Sequence, residues 1–286
     1  MGAEKAPRAF GLDSLFYNVA SMAGPALAAI TAATADPAVA QSLLAGSAAL
    51  GALGVAALPI QGDRQPSRAA RPSLSSGTRE ILRHRTLRLL TFSSTLGQVG
   101  PGALPVVAAV LATSLHRPAS SGLLLTAVAA GSFLGSLLWT WRPIAPDRSP
   151  LVTTVSMIGI GAPIAVAAAT PSIGATAALL GLSGVFIGPF GAALFTARTQ
   201  YADQAFRTQV FTIGAGLKVS ASALGAALVG PLTHLPVWTL LLLVASSPLL
   251  AGGLGTLLLI QRPATTRTTT RRTSRPLSER PGQFQR

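Results

Sequence analysis

Long apolar runs separated by short polar connections dominate the chain. Segmented at charges and at Pro or Gly clusters, it gives eight runs, approximately 11–33, 37–60, 88–113, 119–141, 150–169, 172–197, 208–230 and 236–260. A hydrocarbon layer about 30 Å thick needs about 20 apolar residues of helix, so each run is long enough to cross one. The connections at Thr34 to Asp36, Ser114 to Pro118, Thr170-Pro171 and Pro231 to Leu235 are so short that neighbouring helices must form antiparallel hairpins. Pro37, Pro118, Pro171 and Pro236 suit the first turn of the helix that follows, where a missing N–H costs nothing. The pattern predicts an all-α, polytopic membrane helix bundle of about eight spans.

The runs are interrupted in a particular way. Gly24-Pro25, Gly100-Pro101 with Pro105, Pro163, Gly188-Pro189 and Pro248 fall inside them. Proline removes a backbone hydrogen bond and bends the axis, which lipid tolerates only where the freed carbonyl faces protein or a water-filled cavity. Such a bundle is suited to line a cavity and to flex, although membrane helices carry more proline in any case. Small residues four apart recur at Gly131/Gly135, Gly184/Gly188 and Ala221/Gly225, a spacing that lets helices pack closely. The first run, entered by Arg8-Ala-Phe-Gly-Leu-Asp13 and holding Gly24-Pro25, has a weaker echo. Arg207-Thr-Gln-Val-Phe-Thr-Ile leads into a run with Gly225 that ends in Gly230-Pro231. Internal repeats in apolar chains are a mark of transporters.

Composition agrees with the pattern. Of 286 residues, 49% are hydrophobic and only 10% charged, against roughly a quarter charged in ordinary globular domains. A net charge of +14 raises the question of nucleic acid, but the charges lie between and after the apolar runs, and no nucleic-acid partner is expected. Their distribution instead sets orientation. Lys5 and Arg8, then seven arginines from Arg64 to Arg88, then Arg142 and Arg148, then Arg198 and Arg207, then the tail, fall on one side; only Arg117 falls on the other. Both termini are therefore expected in the cytoplasm, in the cell inner (plasma) membrane. The 61–87 stretch reads as a basic cytoplasmic linker and 261–286 as a disordered basic tail.

Catalytic chemistry has little to work with. Cysteine is absent, and His84, His116 and His234 all fall in connections. Gly181-Leu182-Ser183-Gly184 resembles the nucleophile motif of rhomboid intramembrane proteases, but those enzymes need a His inside a later helix, and close helix packing explains the motif as well. No enzyme activity, metal or cofactor is expected.

Buried polar residues are the better pointers. Lys218 lies deep in its run, where a lysine near the bilayer centre costs about 2.5–3.5 kcal/mol. It is expected to face the bundle interior or water; alternatively its stem snorkels to the cytoplasmic surface. Tyr17, Asn18 and Gln98 are further cavity candidates, each equally suited to an interhelical hydrogen bond. Asp13 sits near a helix N-terminus, where a carboxylate is favoured.

The pattern resembles the major facilitator superfamily, and within it the bacterial drug-efflux-like members. The long basic connector is similar to that family's central loop, 88–260 to its six-helix second half, and 1–60 to the last two helices of its first half. Ser21-Met-Ala-Gly24-Pro25-Ala-Leu-Ala-Ala29 resembles the exporter motif of the fifth helix, and Gly225 to Pro231 its counterpart in the eleventh. Gly131-Ser-Phe-Leu-Gly135 with Arg142 and Arg148 resembles the second-half cytoplasmic loop motif, without its acidic residue. The resemblance implies an exporter of small organic compounds that works by rocking alternating access, with proton antiport as the family expectation. It also implies four helices before Arg8 that the sequence does not contain. A late start site, a truncated inactive remnant, or a membrane protein completed by another chain would each account for that.

Overall fold

The computed structural model describes residues 37–57, 74–117, 120–141, 145–170 and 172–261. Every regular element among them is helical. The first predicted run, with Asp13, Tyr17, Asn18, Gly24 and Pro25, lies outside the described residues, as does Arg142. Helix α1 (Pro37–Ala57) falls on the second run, begins at Pro37 as expected, and exposes all its described side chains. Helix α2 (Leu74–Arg83) lies within the stretch read from sequence as linker. Its apolar side carries Ile81, which packs with Leu87, Ala202 and Val210, and Gly77 lies tight against Gln209 and Ile213.

Six segments long and apolar enough to span a membrane follow. The first is α3 (Arg85–Leu96) continued by α4 (Val99–Ser114), and the second is α5 (Ser120–Trp141). The third is α6 (Ser149–Ala167), entered through a 3-10 turn at Pro146–Arg148. The fourth is α7 (Ile173–Val185) continued by α8 (Ile187–Tyr201). The fifth, α9 (Arg207–Val229), follows a 3-10 turn at Gln204–Phe206 and closes in another at Gly230–Leu232; the sixth is α10 (Val237–Ile260). The expected all-α membrane bundle is therefore present, with span boundaries within a few residues of those predicted.

The two broken spans share one cause. Pro101 and Pro189 have no N–H to offer the carbonyls of Gly97 and Val185, four residues earlier, and the helix breaks at Gly97-Gln98 and at Phe186. These two Gly-Pro pairs stand 88 residues apart, as do Arg85 and Ile173, Trp141 and Val229, and Ser149 and Val237. The six spans are thus two successive triads of like design, each opening with a discontinuous helix.

Close backbone approach joins the triads. On α5, Gly131 abuts the Gly181 carbonyl and Gly135 that of Val185, while Gly188 of α8 abuts Ser136. On α4, Gly100 abuts the Val244 carbonyl of α10, and its N–H donates to Ser247 Oγ at 2.7 Å. Val185 and Val244 are the residues whose carbonyls Pro189 and Pro248 leave without a helical donor. In both places a glycine seats its Cα against the freed oxygen, the geometry of a weak C–H···O contact. The core is ordinary in composition: Leu90, Val107, Met157, Ile160, Leu180, Leu194, Leu240 and Val244. The outer faces are as apolar as the core, with Leu134, Leu138, Val155, Leu250 and Leu254 exposed, as a lipid-facing surface requires. Gly230 meets nothing within 4 Å, and Gly230-Pro231 ends α9 without bending its interior.

Candidate functional site

Near the end of α8 the sequence Ala197-Arg198-Thr199 places a guanidinium where hydropathy alone would end the span. The helix instead continues to Tyr201, and Arg198 is 1% exposed, the one charged side chain fully buried among the described residues. Side chains on a helix tilt toward its N-terminus, so Arg198 points back into the span. Its guanidinium lies flat on α9 at Gly214, where an added Cβ would stand 2.5 Å from Cζ and 2.6 Å from Nη1.

One turn further along the same face of α9 is Lys218, in the middle of its span. Its stem tilts toward the start of α9 and so toward Arg198, close enough for the two charges to repel. The ammonium sits 4.9 Å from the ring centroid of Phe190, a buried residue two turns before Arg198 on α8. Such a cation–π contact contributes about 0.5–2 kcal/mol, less than the insertion cost of the lysine.

The third wall is α3. Thr91, Ser94 and Thr95 lie at i, i+3 and i+4, so their hydroxyls share one face. Ser94 donates to the Thr91 carbonyl at 3.1 Å, and Arg198 Nη2 makes a long contact of 3.5 Å to Ser94 Oγ. Among the described residues, Arg198 Nε, Thr91 Oγ1 and Thr95 Oγ1 are buried without a hydrogen-bond partner. Gln98, one turn beyond Ser94, is half-buried at the break; its N–H donates to the Thr95 carbonyl at 3.1 Å and its carbonyl accepts from Gly102 at 3.0 Å.

No carboxylate joins this cluster among the described residues. Asp203 caps Ala205 at 3.0 Å, Glu80 reaches the Asp203 N–H at 3.5 Å, and Asp147 stands exposed in its turn with Arg148. Nor do His, Asp or Glu side chains gather as metal ligands there. Ser183 donates to the Ile160 carbonyl at 2.7 Å, a helix-to-helix bond, while His234 bonds Pro231 in an exposed turn. An open groove of about 810 Å³ lies elsewhere, between α3 and α10, lined by Arg85, Arg88, Phe92, Leu96, Leu254 and Leu258. Its walls are side chains a span shows to lipid and its arginines sit at a span end, so the buried Arg198 with the part-buried Lys218 is the stronger marker of a site.

Of the sequence candidates, the structure places Lys218 within this cluster and Gln98 at its edge. Arg198 was counted among the arginines of a connection because a charge read as a boundary; the helix-forming run Ala-Leu-Phe-Thr-Ala before it was the available signal.

The described chain is thus a multi-pass, all-α membrane protein in which the buried Arg198 and the part-buried Lys218 lie beside the hydroxyl-bearing face of a broken span. It is 28% identical over 254 residues to the multidrug efflux pump Tap of Mycobacterium tuberculosis and of Mycobacterium bovis, an alignment covering 85% of this chain and 59% of the pump. It is 29% identical over 232 residues to an uncharacterized MFS-type transporter, y4rN, of Sinorhizobium fredii, covering 78% of this chain and 56% of the relative. The resemblance to the major facilitator superfamily therefore rests on named homologues, and the six apolar helices fit part of such a transporter. The chain spans about three fifths of the length of the curated relatives it matches. No protein-family model and no solved structure matches it.

Proposed function

We propose that the protein is a membrane transporter, a secondary carrier that exports small organic compounds by rocking alternating access. The alignment to a multidrug efflux pump over most of the chain carries this reading. The broken first span of each triad supports it, since discontinuous helices beside buried polar groups are how carriers build sites at mid-membrane. Lys218, Gln98, Tyr17 and Asn18 are the proposed cavity residues, and the Gly-Pro pairs the bending and packing elements. Protons are the proposed coupling ion, and the proposed location is the inner membrane with both termini cytoplasmic.

Cells expressing the chain should retain less of a fluorescent dye than cells without it, and an ionophore that collapses the proton gradient should remove the difference. Lys218→Ala should raise dye retention toward the control; unchanged export in that variant removes Lys218 from the site. Orientation has its own test. A reporter fused after His116 or His234 should read as external and one after Ser73 or Arg267 as internal, and reversed signals overturn the topology.

A further inference from the structure

We propose that Arg198 and Lys218, with the hydroxyls of Thr91, Ser94 and Thr95, form a binding site for the anionic group of the transported compound, a carboxylate on an otherwise apolar molecule. The proposal rests on the transport reading above and specifies its substrate class.

Two like charges converge, Arg198 buried and Lys218 part-buried, and each has one side closed. Gly214 closes the face of the guanidinium, and Phe190 closes one side of the ammonium. The edge of Arg198 turns to α3, where its one hydrogen-bond contact among the described residues is the long one to Ser94. Arg198 Nε and two threonine hydroxyls remain without partners there among the described residues. A guanidinium presents its donors in a fork that matches a carboxylate, and an ammonium beside it adds a point charge. The hydroxyls of Thr91 and Thr95 complete the shell, because each can donate to an oxygen the cations leave uncovered, while Ser94 holds the edge of Arg198. Buried cations persist when paired, and the described carboxylates, Glu80, Asp147 and Asp203, are engaged or exposed at span ends. The counter-charge is therefore assigned to the ligand. The Phe190 ring beside the ammonium is an apolar neighbour, which suits an amphipathic acid better than inorganic phosphate.

The test uses the full chain purified in detergent micelles. Fluorescence anisotropy would follow binding of carboxyfluorescein, with benzoate and inorganic phosphate as competitors and the cationic dye rhodamine 6G as comparison. Carboxyfluorescein should bind and be displaced by benzoate at lower concentration than by phosphate. Arg198→Gln and Lys218→Gln should each weaken it by about tenfold or more, a larger factor than either changes the binding of rhodamine 6G. Arg198→Lys, which keeps the charge, should retain more binding than Arg198→Gln, and melting temperatures identify any variant that has merely unfolded. Undiminished carboxyfluorescein binding in folded Arg198→Gln and Lys218→Gln overturns the site. So does a melting temperature that falls in Asp13→Asn but not in Asp13→Asn made on Lys218→Gln, because the counter-charge would then belong to the chain. The two readings fail separately. Rhodamine 6G export by cells without carboxyfluorescein binding sinks the anion site and leaves transport standing. Carboxyfluorescein binding that depends on both cations, without export of either dye, keeps the site and sinks transport.

Discussion

A methyl group placed on Gly100 would meet the Val244 carbonyl and come within 2.6 Å of Ser247 Oγ, whereas one on Gly253 meets nothing within 4 Å. Both glycines are helical, so the two Ala substitutions separate packing from propensity. Gly100→Ala should destabilise by about 1–3 kcal/mol through overpacking, and Gly253→Ala should be neutral or stabilise by about 0.5–1 kcal/mol. Thermal unfolding in micelles reads the two signs. Gly214→Ala is the corresponding test of the cation cluster. Its Cβ must displace Arg198, and the expected outcome is reduced dye export at a melting temperature closer to wild type than that of Gly100→Ala, since a flexible side chain gives way more cheaply than backbone. At this scale the sequence was only partly readable. Lys218 stood out because a charge deep in an apolar run has a known insertion cost. Arg198 did not, because a charge near the end of a run looks the same whether it faces water or turns inward, and only the direction of the Cα–Cβ bond separates the two.

Breaks within spans create donors and acceptors that some other element has to satisfy. The N–H of Gly100, free of its own helix at the break after Gly97, is taken up by Ser247 across a helix interface. Ser247→Ala should therefore cost about 1–3 kcal/mol, the price of a buried N–H left unmet. Ser246→Ala is the control, since that hydroxyl bonds the Leu243 carbonyl of its own helix at 2.7 Å, and it should change stability little. Equal effects of the two on the melting temperature would refute the assignment. The breaks themselves were legible in Gly100-Pro101 and Gly188-Pro189, because proline's missing N–H acts through local chain geometry. Their partners were not, since which helix approaches Gly100 depends on how six spans pack. Helix α2 was missed for another reason: its Arg- and Ser-rich setting reads as linker by composition, and only the placement of Gly77 and Ile81 along one side marks a packing face.

For the molecule as a whole, the number and order of spans follow from the sequence because lipid imposes a length on every crossing. The arrangement of the triads does not, as glycine-to-carbonyl contacts leave no hydropathy signal. That arrangement can be checked directly. The sequence contains no cysteine, and a Cβ built on Gly181 would lie 3.9 Å from that of Ala127, within the range disulfides require. The double variant Ala127→Cys with Gly181→Cys should cross-link on mild oxidation, joining α5 to α7, and mass spectrometry of the digested protein would detect the bridged peptides. Failure of that bridge to form would exclude the described packing of the first triad on the second. Lys218 has a consequence on the same scale. A fixed positive charge half-way through the apolar layer lies inside the electric field of an energised membrane, where a full crossing by one charge corresponds to about 2.3 kcal/mol per 100 mV. Any motion that carries α9 along that field by a fraction of the thickness therefore makes the balance between its end states depend on membrane voltage.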